Sequence, residues 1–238
     1  MPKRVIISWS GGKDSAWTLH TLRQQPEKYF VAGLLTTVNQ RFNRVAMHGV
    51  RRELLNAQAE AAGLPLWVVP LPSPCTDEDY ERRMLNALNF VRSLGVEAIA
   101  FGDLYLQDIR QYREKQFGQC GLELLFPIWG IPTRELAETM LSSGMKARLI
   151  CVDPRAVPTE YAGRDYDGKL LAELPPSADP CAENGEFHTF VYGGPMFRSP
   201  IEIVSGETVQ RDGFVFSDLL PAVPAASSAN SANDILAG

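Results

Sequence analysis

The chain has 238 residues, 45% hydrophobic and 21% charged, with a net charge of −5 at pH 7. These values describe an ordinary globular protein, long enough for one α/β domain and a smaller appendage, and they weigh against a broad surface for tRNA or DNA. No stretch suits a transmembrane helix, the start is too short for a signal peptide, and four separated cysteines without a CxxC pair support neither disulfides nor a zinc knuckle; a cytoplasmic protein is expected.

Strand-like and helix-like segments alternate to about residue 153, the pattern of a parallel α/β sheet. A strand is predicted over 4–9 and a helix from Lys13 to Gln25, stopped by Pro26. The second strand covers 30–38, Asn39–Gly49 reads as a loop, and a helix follows to Ala62, ended by Gly63. Leu66–Leu71 is the third strand. Thr76 is expected to cap the next helix, in which Tyr80, Met84, Leu88 and Val91 recur at helical spacing before Gly95. The fourth strand, Val96–Phe101, ends at Gly102-Asp103, a polar helix follows at about 106–117, and the fifth strand lies at about 122–128. Thr133 is expected to cap a helix closed by Gly144, and Ala147–Val152 to form the sixth strand.

After Asp153-Pro154 the chain becomes rich in Pro, Asp and Gly, with a short helical stretch near 166–174 and β-like runs at 186–192, 200–204 and 207–216. From Pro221 the tail is rich in Ala, Ser and Asn. The expected division is therefore 1–153, an α/β domain; 154–220, a small α+β subdomain; and 221–238, a disordered tail.

The first strand runs into Ser10-Gly11-Gly12-Lys13-Asp14-Ser15. Glycines let the backbone approach an anion closely and take up positive φ, expected here at both Gly11 and Gly12. Amides at the helix start then face that anion. Ser10 and Ser15 add hydroxyls, Lys13 a point charge, and Asp14 a hard oxygen suited to Mg²⁺. The spacing is neither Walker A nor GxGxxG, which weighs against a dinucleotide.

Glu183-Asn184-Gly185-Glu186-Phe187-His188-Thr189 is the second unusual stretch. On a strand, Glu186 and His188 share a face, where a carboxylate and an imidazole can bind an amine or metal or move a proton. Taken alone, it reads as a solvated strand end beside a turn, and it gains weight beside a nucleotide site. Asp103, at a strand's carboxyl end, is either a ligand or a helix-start acid. His48, in the loop after the second strand, either approaches a nucleotide or sits at the surface. Trp9 and Trp17 read as core, His20 as packing or surface, and Arg51-Arg52 as a solvated helix start.

The 10–15 segment resembles the PP-loop of the N-type ATP pyrophosphatases. Together with Phe-Gly-Asp at 101–103 and the 183–189 segment, it makes the chain, from about residue 4 to 218, similar to the diphthine–ammonia ligase family. Gly193, where the family often has an acid, is a departure. The resemblance implies a Rossmann-like, HUP-type parallel sheet sandwiched by helices, with residues 1–153 binding ATP and 154–220 the substrate. It implies adenylation of a carboxylate, with ATP giving AMP and pyrophosphate, then amide formation by ammonia. Ser10, Gly11, Gly12, Lys13, Asp14, Ser15, His48, Gly102 and Asp103 would hold ATP, with Asp14 on Mg²⁺. Asp103, Glu183, Asn184, Gly185, Glu186, His188 and Thr189 would hold the acceptor, with Lys13, Asp14, Glu186 and His188 catalytic. Gly118-Gln119-Cys120-Gly121 falls short of a nucleophile elbow, which favours free ammonia as donor.

The acceptor implied is protein-borne diphthine or, since 48–55 looks like bacterial branches, another carboxylate such as a corrinoid precursor. A tRNA-modifying PP-loop enzyme and a non-catalytic nucleotide sensor remain as alternatives. No membrane partner is expected, and homodimerisation is left open.

Overall fold

A computed structural model describes residues 1–45 and 49–222 and the backbone of 233–234. Its first layer is a sheet in the order β11-β4-β2-β1-β5-β6: Asn233–Asp234, Leu66–Leu71, Tyr29–Asn39, Lys3–Ser8, Ala98–Ala100 and Glu123–Leu125. All neighbours along this path are parallel. Such strands are covered on both faces and so read as apolar runs.

Alternation along β1 shows why. Val5 and Ile7 face α1 (Lys13–Arg23) and α2 (Arg52–Ala62), while Ile6 faces α3 (Asp77–Ser93). Thr76 does cap α3, its hydroxyl accepting from the Asp79 amide at 3.1 Å. The polar helix α4 (Gln107–Phe117) buries only Phe117. The Rossmann-like class expected from sequence is the class observed.

Four local expectations need correction. Asn39–Gly49 is not all loop: β3 (Arg44–Val45) turns back antiparallel on β2. Thr133 does not cap α5 (Thr133–Ser142); it is the first helical residue, after Pro132, and its hydroxyl donates to Asp179 at 2.6 Å. The sixth strand, β7 (Lys146–Val152), belongs to a separate antiparallel sheet, ordered β8-β7-β10-β9. In that sheet the expected runs 200–204 and 207–216 become one hairpin, β9 (Ile203–Arg211) and β10 (Phe214–Pro221). Its turn is Asp212-Gly213, with φ of 52° and 84°, the two positive values a tight hairpin turn requires.

The second sheet is completed by β8 (Phe187–Gly193), and α6 (Gly168–Glu173) packs beside it. Of the expected tail, Pro221 closes β10 and Asn233–Asp234 pair with β4; apart from Ala222, the others lie outside the described residues. No helix among the described residues is long and apolar enough to cross a membrane.

Candidate functional site

The loop after β1 meets β8 at the carboxyl edge of the parallel sheet, the edge where open α/β sheets take ligands. Gly11 has φ of +82°, which favours glycine. Gly12 does not share it: at φ −87° it is extended, and space is what it must spare. A Cβ there would lie 3.2 Å from the Thr189 carbonyl. Gly102 is held by the same constraint, since its Cβ would fall 2.8 Å from the Asp14 carbonyl carbon.

Gly12 has no side chain with which to cap α1, so neighbouring hydroxyls gather there. The Gly12 amide donates to Ser10 Oγ at 3.2 Å and the Lys13 amide to Thr189 Oγ1 at 3.1 Å. Ser15 Oγ donates to the Gly12 carbonyl at 3.0 Å and lies 3.2 Å from Ser10 Oγ.

Lys13 is 3% exposed. Its ammonium donates to Asp14 Oδ2 at 2.9 Å and to the Cys181 carbonyl, with the Phe187 ring behind it. Burial is the largest influence and disfavours that charge, but Asp14, Cys181 and Glu183 together outweigh it and the Lys13 pKa is raised. Burial also raises the Asp14 pKa, against the pull of Lys13. Asp14 Oδ1 is buried and has no hydrogen-bond partner among the described residues. Behind the lysine the surroundings are apolar enough to push the Cys181 thiol up to about 12, burial being the first cause.

The 183–189 segment is folded differently from the sequence expectation. Glu186 precedes β8, is 5% exposed, and accepts from the Asp179 amide at 2.8 Å and from the Asn184 amide and side chain, both at 3.1 Å. Both of its oxygens are therefore engaged in holding the turn through Asn184 and Gly185. Glu183 Oε1 accepts from the Leu104 and Tyr105 amides, at 2.8 and 3.3 Å. Its Oε2 has no donor among the described residues. Burial raises the Glu183 pKa, opposed by the Leu104 amide. His188 is half-buried, and burial with the nearby Lys13 charge lowers its pKa to about 4.

Asp103 accepts from Arg113 on α4, at 3.1 and 3.4 Å. Trp9 and Trp17 are buried as expected, and the His20 ring lies 4.6 Å from Trp17. His48 lies outside the described residues. Arg51 is no solvated helix start; it and Arg44 clamp Asp218 on β10, at 2.6 and 2.7 Å.

Two residues that hold the site escaped the sequence reading. Gln58 on α2 is fully buried, donates to the Gly11 carbonyl at 2.9 Å and the Val191 carbonyl at 2.7 Å, and accepts from the Trp9 indole at 2.9 Å. No sequence signal marks it, in a run of Asn, Ala and Glu. Asp179 accepts from the Cys181 amide at 2.8 Å and, as above, from Thr133. Its position before Pro180 was a turn signal.

Together these features define a Rossmann-like α/β protein whose first loop gathers two hydroxyls, a buried lysine and a carboxylate at the carboxyl edge of the parallel sheet. Residues 3–124 match the diphthamide synthase N-terminal domain and 132–218 the diphthamide synthase C-terminal domain. The chain belongs to the diphthamide synthase family. It is similar to the diphthine–ammonia ligase of Bos taurus, 26% identical over 236 residues that cover 90% of this chain and 88% of that protein. The diphthine–ammonia ligase of Homo sapiens is 25% identical with the same coverage, and that of Danio rerio 27% identical over 229 residues, 87% of this chain and 88% of the relative.

Proposed function

We propose that the chain is an ATP-dependent amidoligase. A carboxylate oxygen of the acceptor attacks the α-phosphorus of ATP, pyrophosphate leaves, and ammonia then displaces AMP from the acyl carbon. The observation that carries this reading is the buried Lys13 paired with a part-buried Asp14 whose Oδ1 has no hydrogen-bond partner among the described residues, on a glycine loop at the sheet's carboxyl edge. The family relationship adds the amide chemistry, since the named relatives are ligases.

Lys13 and the hydroxyls of Ser10 and Ser15 would hold the pyrophosphate, with the work being positioning and charge neutralisation. Among the described residues, no three His, Cys, Asp or Glu side chains gather to form a metal cage. One open carboxylate oxygen still fits Mg²⁺, which binds through one or two carboxylates plus phosphates and water. Asp14 would hold it, and the ion would neutralise developing phosphate charge.

On the acceptor side, Glu183 is the better proton acceptor. It keeps one oxygen open and has a raised pKa. Glu186 is a positioning residue, acting through Asn184 and Asp179. His188, with a pKa of about 4, enters as a neutral imidazole and a weak base at pH 7. The acceptor is protein-borne diphthine, the substrate in the relatives' names, or a smaller carboxylate.

The test is product analysis of ATP with the purified chain, Mg²⁺ and ¹⁵N-ammonium, with and without diphthine-bearing elongation factor or a panel of carboxylates. Acceptor-dependent AMP and pyrophosphate with ¹⁵N in the product is expected. ADP formation, or tight ATP binding with no turnover under any acceptor, would overturn the ligase reading.

A further inference from the structure

A cavity of about 250 Å³ lies between α2 and the β9–β10 hairpin, just under the usual size of drug-sized ligand cavities and room for a small molecule. Its floor is Val50, Leu54, Ile150 and Phe190, none more than 5% exposed. Leu54 stands one helical turn from Gln58, so the cavity neighbours the phosphate loop without including any of its residues. Its wall uses Arg44, Gly49 and Arg51, which follow the carboxyl end of β2, the ligand-binding edge of the parallel sheet.

The charge around this apolar floor is uneven. Three guanidiniums, of Arg44, Arg51 and Arg211, face two carboxylates, of Asp218 and Glu207, an excess of one positive charge. Asp218 takes both Arg44 and Arg51 and fixes them in the wall. Arg211 is different. Its nearest carboxylate is Asp212 at 3.5 Å, and its guanidinium lies 4.9 Å above the Phe216 ring at the mouth. Val209 beside it is 46% exposed. Apolar rim residues beside a guanidinium with only a loose partner suit a ligand with an apolar body and an anionic end. An excess of one charge matches a monoanion better than a dianionic phosphate.

We propose that this cavity binds a small organic carboxylate, with its charge at Arg211 and its body on Val209 and Phe216, at a site separate from the nucleotide loop. The same chemistry would serve the acceptor of the ligation or an effector. The binding claim itself does not depend on ligase activity.

The first arm titrates the full chain with 4-phenylbutyrate and with its neutral analogue 4-phenylbutanamide, by isothermal calorimetry with and without saturating MgATP. The acid is expected to bind at least about tenfold more tightly than the amide, equally with MgATP present, and to lose about tenfold in Arg211→Glu. Phe216→Ala should weaken both probes. Arg211 is exposed, so thermal denaturation of that variant should match the parent. Equal binding of acid and amide, parent-like binding by Arg211→Glu, displacement by MgATP, or no binding up to about 10 mM would each overturn the proposal. The second arm separates the sources once an acceptor is known. Inhibition competitive with the acceptor places the acceptor in this cavity, and a change in kcat alone places an effector there.

Discussion

The 10–15 loop and the 183–189 turn are both rich in charged and polar side chains, and they use them in opposite ways. In the loop, hydroxyls satisfy the backbone and leave a carboxylate oxygen of Asp14 open. In the turn, Glu186 takes three donors, two of them backbone amides, and has both oxygens engaged. Residue type is therefore a poor guide to chemical role here. What separates a reacting group from a scaffold is the number of acceptor sites left after the chain has taken its share.

The largest expected effect falls on the loop. Asp14→Asn should lower AMP formation at least about 10³-fold, about 4 kcal/mol of transition-state stabilisation. The amide is the cleaner test: both variants remove the charge, but Asp14→Asn keeps an oxygen to accept from the Lys13 ammonium, whereas Asp14→Ala also leaves that buried donor without an acceptor and adds instability. Unchanged AMP formation would break the assignment of the loop as the reacting side.

Glu186→Ala should act through the fold. Loss of three donors to one buried carboxylate should reduce unfolding free energy by about 3 kcal/mol in urea, while Glu186→Gln, which keeps one acceptor oxygen, should lose about 1. A parent-like denaturation curve with turnover lost more than about a hundredfold in Glu186→Gln would make Glu186 a reacting group and end the contrast. Gln58→Leu tests the link between the two regions. It should remove about 2 kcal/mol of stability and raise the KM for ATP more than it lowers kcat, because Gly11 loses its brace.

His188 offers the smallest effect and a pH signature. Its folded pKa, about 4, lies below the ordinary 6.5, so the unfolded chain takes up a proton first as pH falls. Stability is full above 6.5 and declines as pH drops toward 4. The parent should lose about 2 kcal/mol between pH 7.5 and pH 5 on this account, and His188→Asn should lack that part of the slope. Identical slopes would remove His188 from the buried environment assigned to it.

How much of this was readable in the chain depended on distance. Val5-Ile6-Ile7 running into Ser10–Ser15 gave strand, loop and helix start, because every interaction is local. Thr76 and Leu66–Leu71 were legible for the same reason. Ala147–Val152 was legible as a strand, and its sheet was not: the same apolar run suits either, and its partners lie 35 or more residues on. The hairpin at Asp212-Gly213 was signalled and passed over. At the site, the motif residues were found while their duties were not. Nothing near Glu186 says that Asp179 and Asn184 occupy it, and nothing near Arg51 announces Asp218.

The backbone bond from the Val191 amide to the Gly11 carbonyl, 3.0 Å long, has a consequence for modularity. With Gln58 and Thr189 it stitches the phosphate loop to the second sheet. A fragment cut between β6 and α5 would keep every parallel strand before the cut and still lack two of the partners that shape its first loop. The first half of this chain is therefore not a portable cassette; on the proposed function, two separate pieces should bind ATP only when they reassociate.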